Sequence, residues 1–251
     1  MATPLDRARQ IAVPIAALAQ PLVGLLPQLG FGQEVGARSD AVPSLVTPAG
    51  YAFAIWGPIF LASFIYAADQ LRPGRADQAL QRGIGWWAAA AFALNAIWIV
   101  VAQADGLQAP TLAVILLILA VAAVGCRRTL MAPAGGGRTA AVIALTPLAG
   151  WLTVAAVVNA AAVLPPDPAA PEVAAVYLAL AVGAVLAGVV LTRGALLYAA
   201  PAAWGLAAVG VANRQDGEAA LSLAAFAAAA VVIAAALLLK LRRPDRAFRP
   251  S

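Results

Sequence analysis

Histidine is absent from the 251 residues, and cysteine occurs once, as Cys126. These absences remove His-ligated haem, Cys/His zinc sites, Ser-His and Cys-His catalysis, and intrachain disulfides. Charge is scarce too: Asp, Glu, Lys and Arg make up 11% of the chain, against roughly 25% in a soluble globular domain. So few charges cannot cover the surface of soluble domains of this length. What the chain has instead is apolar, with 63% hydrophobic residues and a mean hydropathy of +0.89. A bilayer is the solvent that suits it.

A helix crossing a bilayer needs about 20 consecutive apolar residues, since each adds about 1.5 Å through a hydrocarbon core about 30 Å thick. Cutting the sequence at every charged residue leaves eight runs of that length: 10–33, 41–68, 83–104, 106–126, 139–166, 173–192, 194–213 and 219–239. Backbone groups in hydrocarbon must pair within their own segment, so each run predicts a helix. The expected fold class is therefore all-α, a polytopic transmembrane bundle of about eight helices. Pro48 precedes the second helix, Pro110 opens the fourth, and Pro165, Pro166 and Pro168 end the fifth. Pro14, Pro21, Pro58, Pro147 and Pro201 lie deeper and predict kinks. Residues 1–30 could also be read as a signal peptide. That stretch is long, contains prolines and lacks a clear small-residue cleavage site, so a retained helix is expected.

The pI near 10.1 could suggest nucleic acid, but the basic residues stand in short clusters between apolar runs and act as topology signals. With eight crossings, only Arg38 and Arg214 of the 16 Lys and Arg residues fall on one side. Glu34, Asp40, Asp105, Asp167, Glu172, Asp216 and Glu218 join them there. The positive-inside rule then puts both termini in the cytoplasm, consistent with a bacterial inner membrane. The basic tail, Lys240, Arg242, Arg243, Arg246 and Arg249, reads as a stop-transfer anchor.

Alanine and glycine crowd the runs and allow close helix packing. Trp86 and Trp87 follow Arg82, where the interfacial aromatic belt accounts for them. Trp56, Trp98, Trp151 and Trp204 instead sit in mid-run. Asn95 and Trp98 share one face of the third helix at i, i+3 spacing, and Trp151 and Asn159 lie about 80° apart around the fifth. Such pairs either tie helices together by hydrogen bonds or line a cavity for an aromatic or sterol-sized ligand.

These segments resemble the TspO/translocator-protein family, the tryptophan-rich sensory proteins. Thr47-Pro48-Ala49-Gly50-Tyr51, followed by Trp56-Gly57-Pro58-Ile59-Phe60, is similar to the family's Pro-Pro-Gly-Trp and Phe-Gly-Pro-Val-Trp, with Tyr51 where a Trp is usual. Ala93-Leu94-Asn95-Ala96-Ile97-Trp98 resembles its Leu-Asn-x-x-Trp, and Arg127-Arg128 its basic turn after the fourth helix. Thr146-Pro147-Leu148-Ala149-Gly150-Trp151, then Ala155 through Asn159, resembles its fifth helix. The resemblance covers about residues 10–165. It implies a five-helix bundle over residues 1–168 and a three-helix extension over 169–251, to which Trp204 and Asn213 could add contacts.

The resemblance also implies a binding or sensory protein for tetrapyrroles or other hydrophobic small molecules, rather than an enzyme, with no resident cofactor. The expected ligand-binding residues are Tyr51, Trp56, Asn95, Trp98, Trp151 and Asn159. They would line one cavity, closed on the external side by the loop from Glu34 to Thr47 and entered near Tyr51 and Trp56. A secondary transporter for a neutral or hydrophobic molecule is the alternative, since deep prolines permit alternating access, although no span has a charge at its centre. A structural membrane subunit, without a saturable ligand, is a third reading. The expected partners are a hydrophobic ligand, possible porphyrin among them, and the bilayer, with no nucleic acid. A homodimer stays open.

Overall fold

A computed structural model describes residues 2–42, 44–135 and 137–242. Arg243, Arg246 and Arg249 of the basic tail lie outside the described residues. In chain order the elements are α1 (Pro4–Gly24), a 3-10 turn (Leu26–Leu29), α2 (Val35–Asp40) and a second 3-10 turn (Gly50–Ile55). They continue with α3 (Trp56–Leu71), α4 (Ala79–Asp105), α5 (Ala109–Met131), α6 (Arg138–Val163), α7 (Pro171–Leu191), α8 (Leu196–Gln215) and α9 (Ala219–Leu241). The fold is an all-helical membrane bundle, and each of the eight uncharged runs overlaps one of its long helices.

Seven helices, counting the turn before α3 as part of it, are long and apolar enough to cross a membrane. α1 is not among them, because its first turns carry Asp6, Arg7 and Arg9. It starts ahead of the first uncharged run because Thr3 caps it. The Asp6 amide donates to Thr3 Oγ1 at 3.3 Å, and the Thr3 amide returns a bond to Asp6 Oδ2 at 2.9 Å, a reciprocal cap that satisfies orphan donors. Tertiary contacts show how far α1 reaches. Asp6 pairs with Arg82 at 2.7 Å, while the Gly24 carbonyl accepts from Gln103 Nε2 at 3.4 Å. Along α4 those partners are about 31 Å apart at 1.5 Å per residue, the thickness of a hydrocarbon core. α1 runs the height of the bundle, with Ile11, Ile15, Leu18 and Leu22 exposed along its outer face.

One end of the bundle is basic. Arg9 is buried, with Nη1 on Asp6 Oδ1 at 2.9 Å, Nε on Gln70 at 3.3 Å, and a further bond to the Ala76 carbonyl. Arg82 beside Asp6, helped by the Thr3 amide, holds the Asp6 carboxyl well below the usual carboxylate range. Arg128 lies over the Trp87 ring at 5.4 Å, as an interfacial belt requires. The opposite end joins the acidic loops: the Gln33 amide donates to the Gln103 carbonyl at 3.0 Å, and the Leu45 amide to the Pro168 carbonyl at 3.1 Å.

α6 is the central helix, in contact with α3, α5, α7 and α8. Of the helices after Pro168, α7 and α8 pack on it, α8 closely: a Cβ on Gly150 would come within 2.1 Å of the Tyr198 carbonyl oxygen. Pro14, Pro21, Pro147 and Pro201 lie inside helices as expected. Pro58 does not. The helix begins at Trp56 after the 3-10 turn, so Pro58 falls in its first turn, where no amide partner is needed.

Candidate ligand cavity

Beneath α2 and the segment that leads into α3, the acidic end holds two neighbouring cavities. The larger, about 210 Å³, lies between the end of α1, the start of α3 and α4, against Trp56, Phe60, Trp98 and Gln103. The smaller, about 30 Å³, lies between α4 and α6, against Trp98, Trp151, Val154 and Asn159. Val35, Phe53 and Trp98 border both and form the partition. A cavity of 150 Å³ is enough for benzene, and 30 Å³ is one water's share of the liquid. By volume the larger cavity has room for a single aromatic ring and the smaller for one water.

The walls are aromatic because three elements deliver rings to one place. Trp151 of α6 meets Trp56 of α3 edge to face, with centroids 6.1 Å apart at 82°. Phe53 meets Trp151 in the same way at 6.4 Å, and Phe60 stacks on Trp56 at 5.5 Å. Edge-to-face and offset contacts are the arrangements the ring quadrupole favours.

Polar atoms in these walls are incompletely used. Trp98 and Trp151 are 5% and 3% exposed, and neither Nε1 has a hydrogen-bond partner among the described residues. Gln103 Oε1 is likewise buried without one. A buried donor left unmade is costly, so two such indoles beside one cavity point to an occupant with acceptors. Asn159 is differently engaged, its Oδ1 accepting from Thr111 Oγ1 at 3.3 Å.

Of the expected site residues, Trp98, Trp151 and Asn159 border the smaller cavity, and Trp56 borders the larger with Trp98. Glu34, Val35 and Ser39, from the Glu34–Thr47 segment, border the cavities, and so does Pro48 just beyond it. Two residues depart. Asn95 does not border these cavities: it is fully buried, turned to α1, and its Nδ2 donates to Gln20 Oε1 at 3.0 Å. Three residues turn a helix about 300°, so Asn95 and Trp98 sit about 60° apart, enough for one to face α1 and the other the cavity. Tyr51 does not border them either. It is 47% exposed and packs edge to face on Trp204, with centroids 5.3 Å apart.

Phe53, Phe60 and Gln103 also border the cavities, and spacing in the sequence did not single them out. Phe53 lies in a 3-10 turn, outside the helical periodicity. Gln103 carried a signal, being one of two amides, with Asn95, in the uncharged run 83–104.

No curated protein and no solved structure gives a significant match to the chain. A family model does match, over residues 10–238, described as TSPO-like protein. The matched stretch takes in the aromatic cavity and reaches into α9. The chain is therefore a member of the TSPO-like family, a multi-pass integral membrane protein.

Proposed function

We propose that the protein binds and senses a flat, hydrophobic aromatic molecule, with tetrapyrroles such as porphyrins as the ligand class, and that it carries out no chemistry on it. The observation behind this reading is the pair of partnerless indole N–H groups, Trp98 and Trp151, beside an aromatic cavity within the membrane bundle. Rings at right angles offer both faces and edges to a planar guest. The indole donors and the Gln103 acceptor suit a polar edge, such as a carbonyl or carboxyl group. Drug-sized ligands occupy about 300–1,000 Å³, so a tetrapyrrole requires the Val35–Phe53–Trp98 partition to yield and the two cavities to merge.

Binding is favoured over passage because both cavities sit at one end, while the other end is tied by Asp6, Arg9, Arg82 and Gln70. The positive-inside rule assigns that tied end to the cytoplasm and the cavity to the external half of a bacterial inner membrane. Titration of purified protein in nanodiscs with protoporphyrin, followed by tryptophan quenching, tests the reading. Saturable quenching reversed by competing ligand is expected; non-saturable quenching that scales with lipid would reject a specific site.

A further inference from the structure

From Ser44 to Ile55 the chain runs as a strap from the acidic end of the bundle down to the middle of α8, and α8 holds it at three successive points. Asn213 Nδ2 donates to the Leu45 carbonyl at 2.7 Å. The Ala49 amide donates to the Ala208 carbonyl at 3.1 Å. Trp204 Nε1 donates to the Ala52 carbonyl at 3.0 Å. Tyr51 adds its ring to the face of contact, edge to face with Trp204. The three α8 positions are Trp204, Ala208 and Asn213; at about 100° per residue Trp204 and Asn213 lie about 180° apart around the helix, so the strap crosses over α8 instead of following a single stripe of it.

The same strap supplies walls of the cavity. Pro48 and Phe53 border it, and Phe53 also belongs to the partition that must yield to a larger guest. Ala52, whose carbonyl Trp204 binds, directly precedes Phe53 and is fully buried. Trp204 lies near the middle of α8 and is 40% exposed, while Ala52 is fully buried; releasing the strap there would strip the indole N–H and the Ala52 carbonyl of their mutual bond at membrane depth, where an unmade bond is costly. The three bonds therefore favour a strap that is either wholly seated or released as a unit.

We propose that Trp204 and Asn213 are positioning residues that set access to the cavity, with α8 clamping the strap that closes it. As it concerns ligand traffic, this rests on the binding function proposed above; the clamp itself is a property of the fold and can be tested without a ligand.

The test uses full-length protein in nanodiscs in a Cys126→Ala background, with Ala155→Cys as a reporter on the cavity wall. The measurement is the rate at which a small methanethiosulfonate reagent modifies it. Trp204→Phe keeps a ring against Tyr51 and removes only the N–H; it is expected to speed labelling about tenfold, the factor that loss of one hydrogen bond of ordinary strength gives. Asn213→Ala should act in the same direction, and Trp86→Phe, at the opposite end, should leave the rate unchanged. An unchanged rate in folded Trp204→Phe overturns the proposal. Should that variant fail to fold, Asn213→Ala decides by the same criterion. In parallel, bound protoporphyrin should leave Trp204→Phe faster than wild type. If wild type binds no protoporphyrin, the ligand reading fails, while the labelling rates still decide the clamp.

Discussion

Trp56 and Trp151, from helices α3 and α6, meet edge to face with centroids 6.1 Å apart; Trp56 borders the larger cavity and Trp151 the smaller, and the two cavities share Trp98 as a wall. Porphyrin bound there lies against Trp98 and Trp151 and far from Trp86, which is exposed near the basic end. Trp98→Phe and Trp151→Phe are expected to lower saturable quenching more than Trp86→Phe. If Trp86→Phe carries the larger loss, the ligand sits in the interfacial belt and the cavity is not its site.

Asn95 separates packing from binding. Asn95→Ala removes its bond to Gln20, and interhelical hydrogen bonds in membranes average about 0.6 kcal/mol, reaching about 1.7. A loss of stability in that range, measured by unfolding in mixed micelles, should accompany unchanged porphyrin affinity. A large affinity loss at unchanged stability would return Asn95 to the site.

Gly150 tests the seam between α6 and α8. Its Cβ would come within 2.1 Å of a backbone oxygen that cannot swing away, so Gly150→Ala should destabilise by about 1–3 kcal/mol, as overpacking does. Gly183 has open space around it. Gly183→Ala should be neutral or raise stability by up to about 1 kcal/mol through helix propensity.

Topology follows from the position of α1 beside α4. Single cysteines at Ala2, Gln28 and Asp167 in a Cys126→Ala background should label from the cytoplasm at Ala2 and from outside at the other two. Labelling of Ala2 and Gln28 from one side would show that α1 lies on the membrane rather than through it.

Asp6 predicts a pH dependence. Its carboxyl is held below its ordinary value, so its stabilising contribution is fully present above the unfolded value of about 3.9 and is lost as pH falls below that. Wild type should thus lose stability on acidification below about pH 4 by a component that Asp6→Asn lacks. At neutral pH Asp6→Asn should unfold more readily, because Arg9 stays buried without its carboxylate partner.

Local properties of the chain settled a good deal. The eight long helices, the breaks at Pro48, Pro110 and Pro165, and the sorting of charge to two ends were legible in the sequence. Helix length and apolarity add up along the chain, and hydrocarbon tolerates neither charge nor unpaired backbone. The mid-run tryptophans of α3, α4 and α6 were legible as residues to watch, because an indole away from the interface needs a partner, and the structure brings Trp56, Trp98 and Trp151 to the borders of two neighbouring cavities.

Rotation and long-range contact were decided only by the tertiary structure. Lipid-facing and core-facing sides of these helices are both apolar, so periodicity does not say which way a residue turns; Asn95 against α1 and Trp98 against the cavity could not be told apart. The length of run 10–33 predicts a crossing, but α1 begins with Asp6, Arg7 and Arg9 and is not among the seven helices apolar enough to cross; its pairing with α4 from Asp6–Arg82 to Gly24–Gln103 is what gives it the height of the bundle. The strap's bonds to Trp204 and Asn213 join residues over 150 positions apart, and no local pattern encodes such a pairing. It exists because α8 packs on α6 and brings the Trp204 and Asn213 donors to the Ala52 and Leu45 carbonyls.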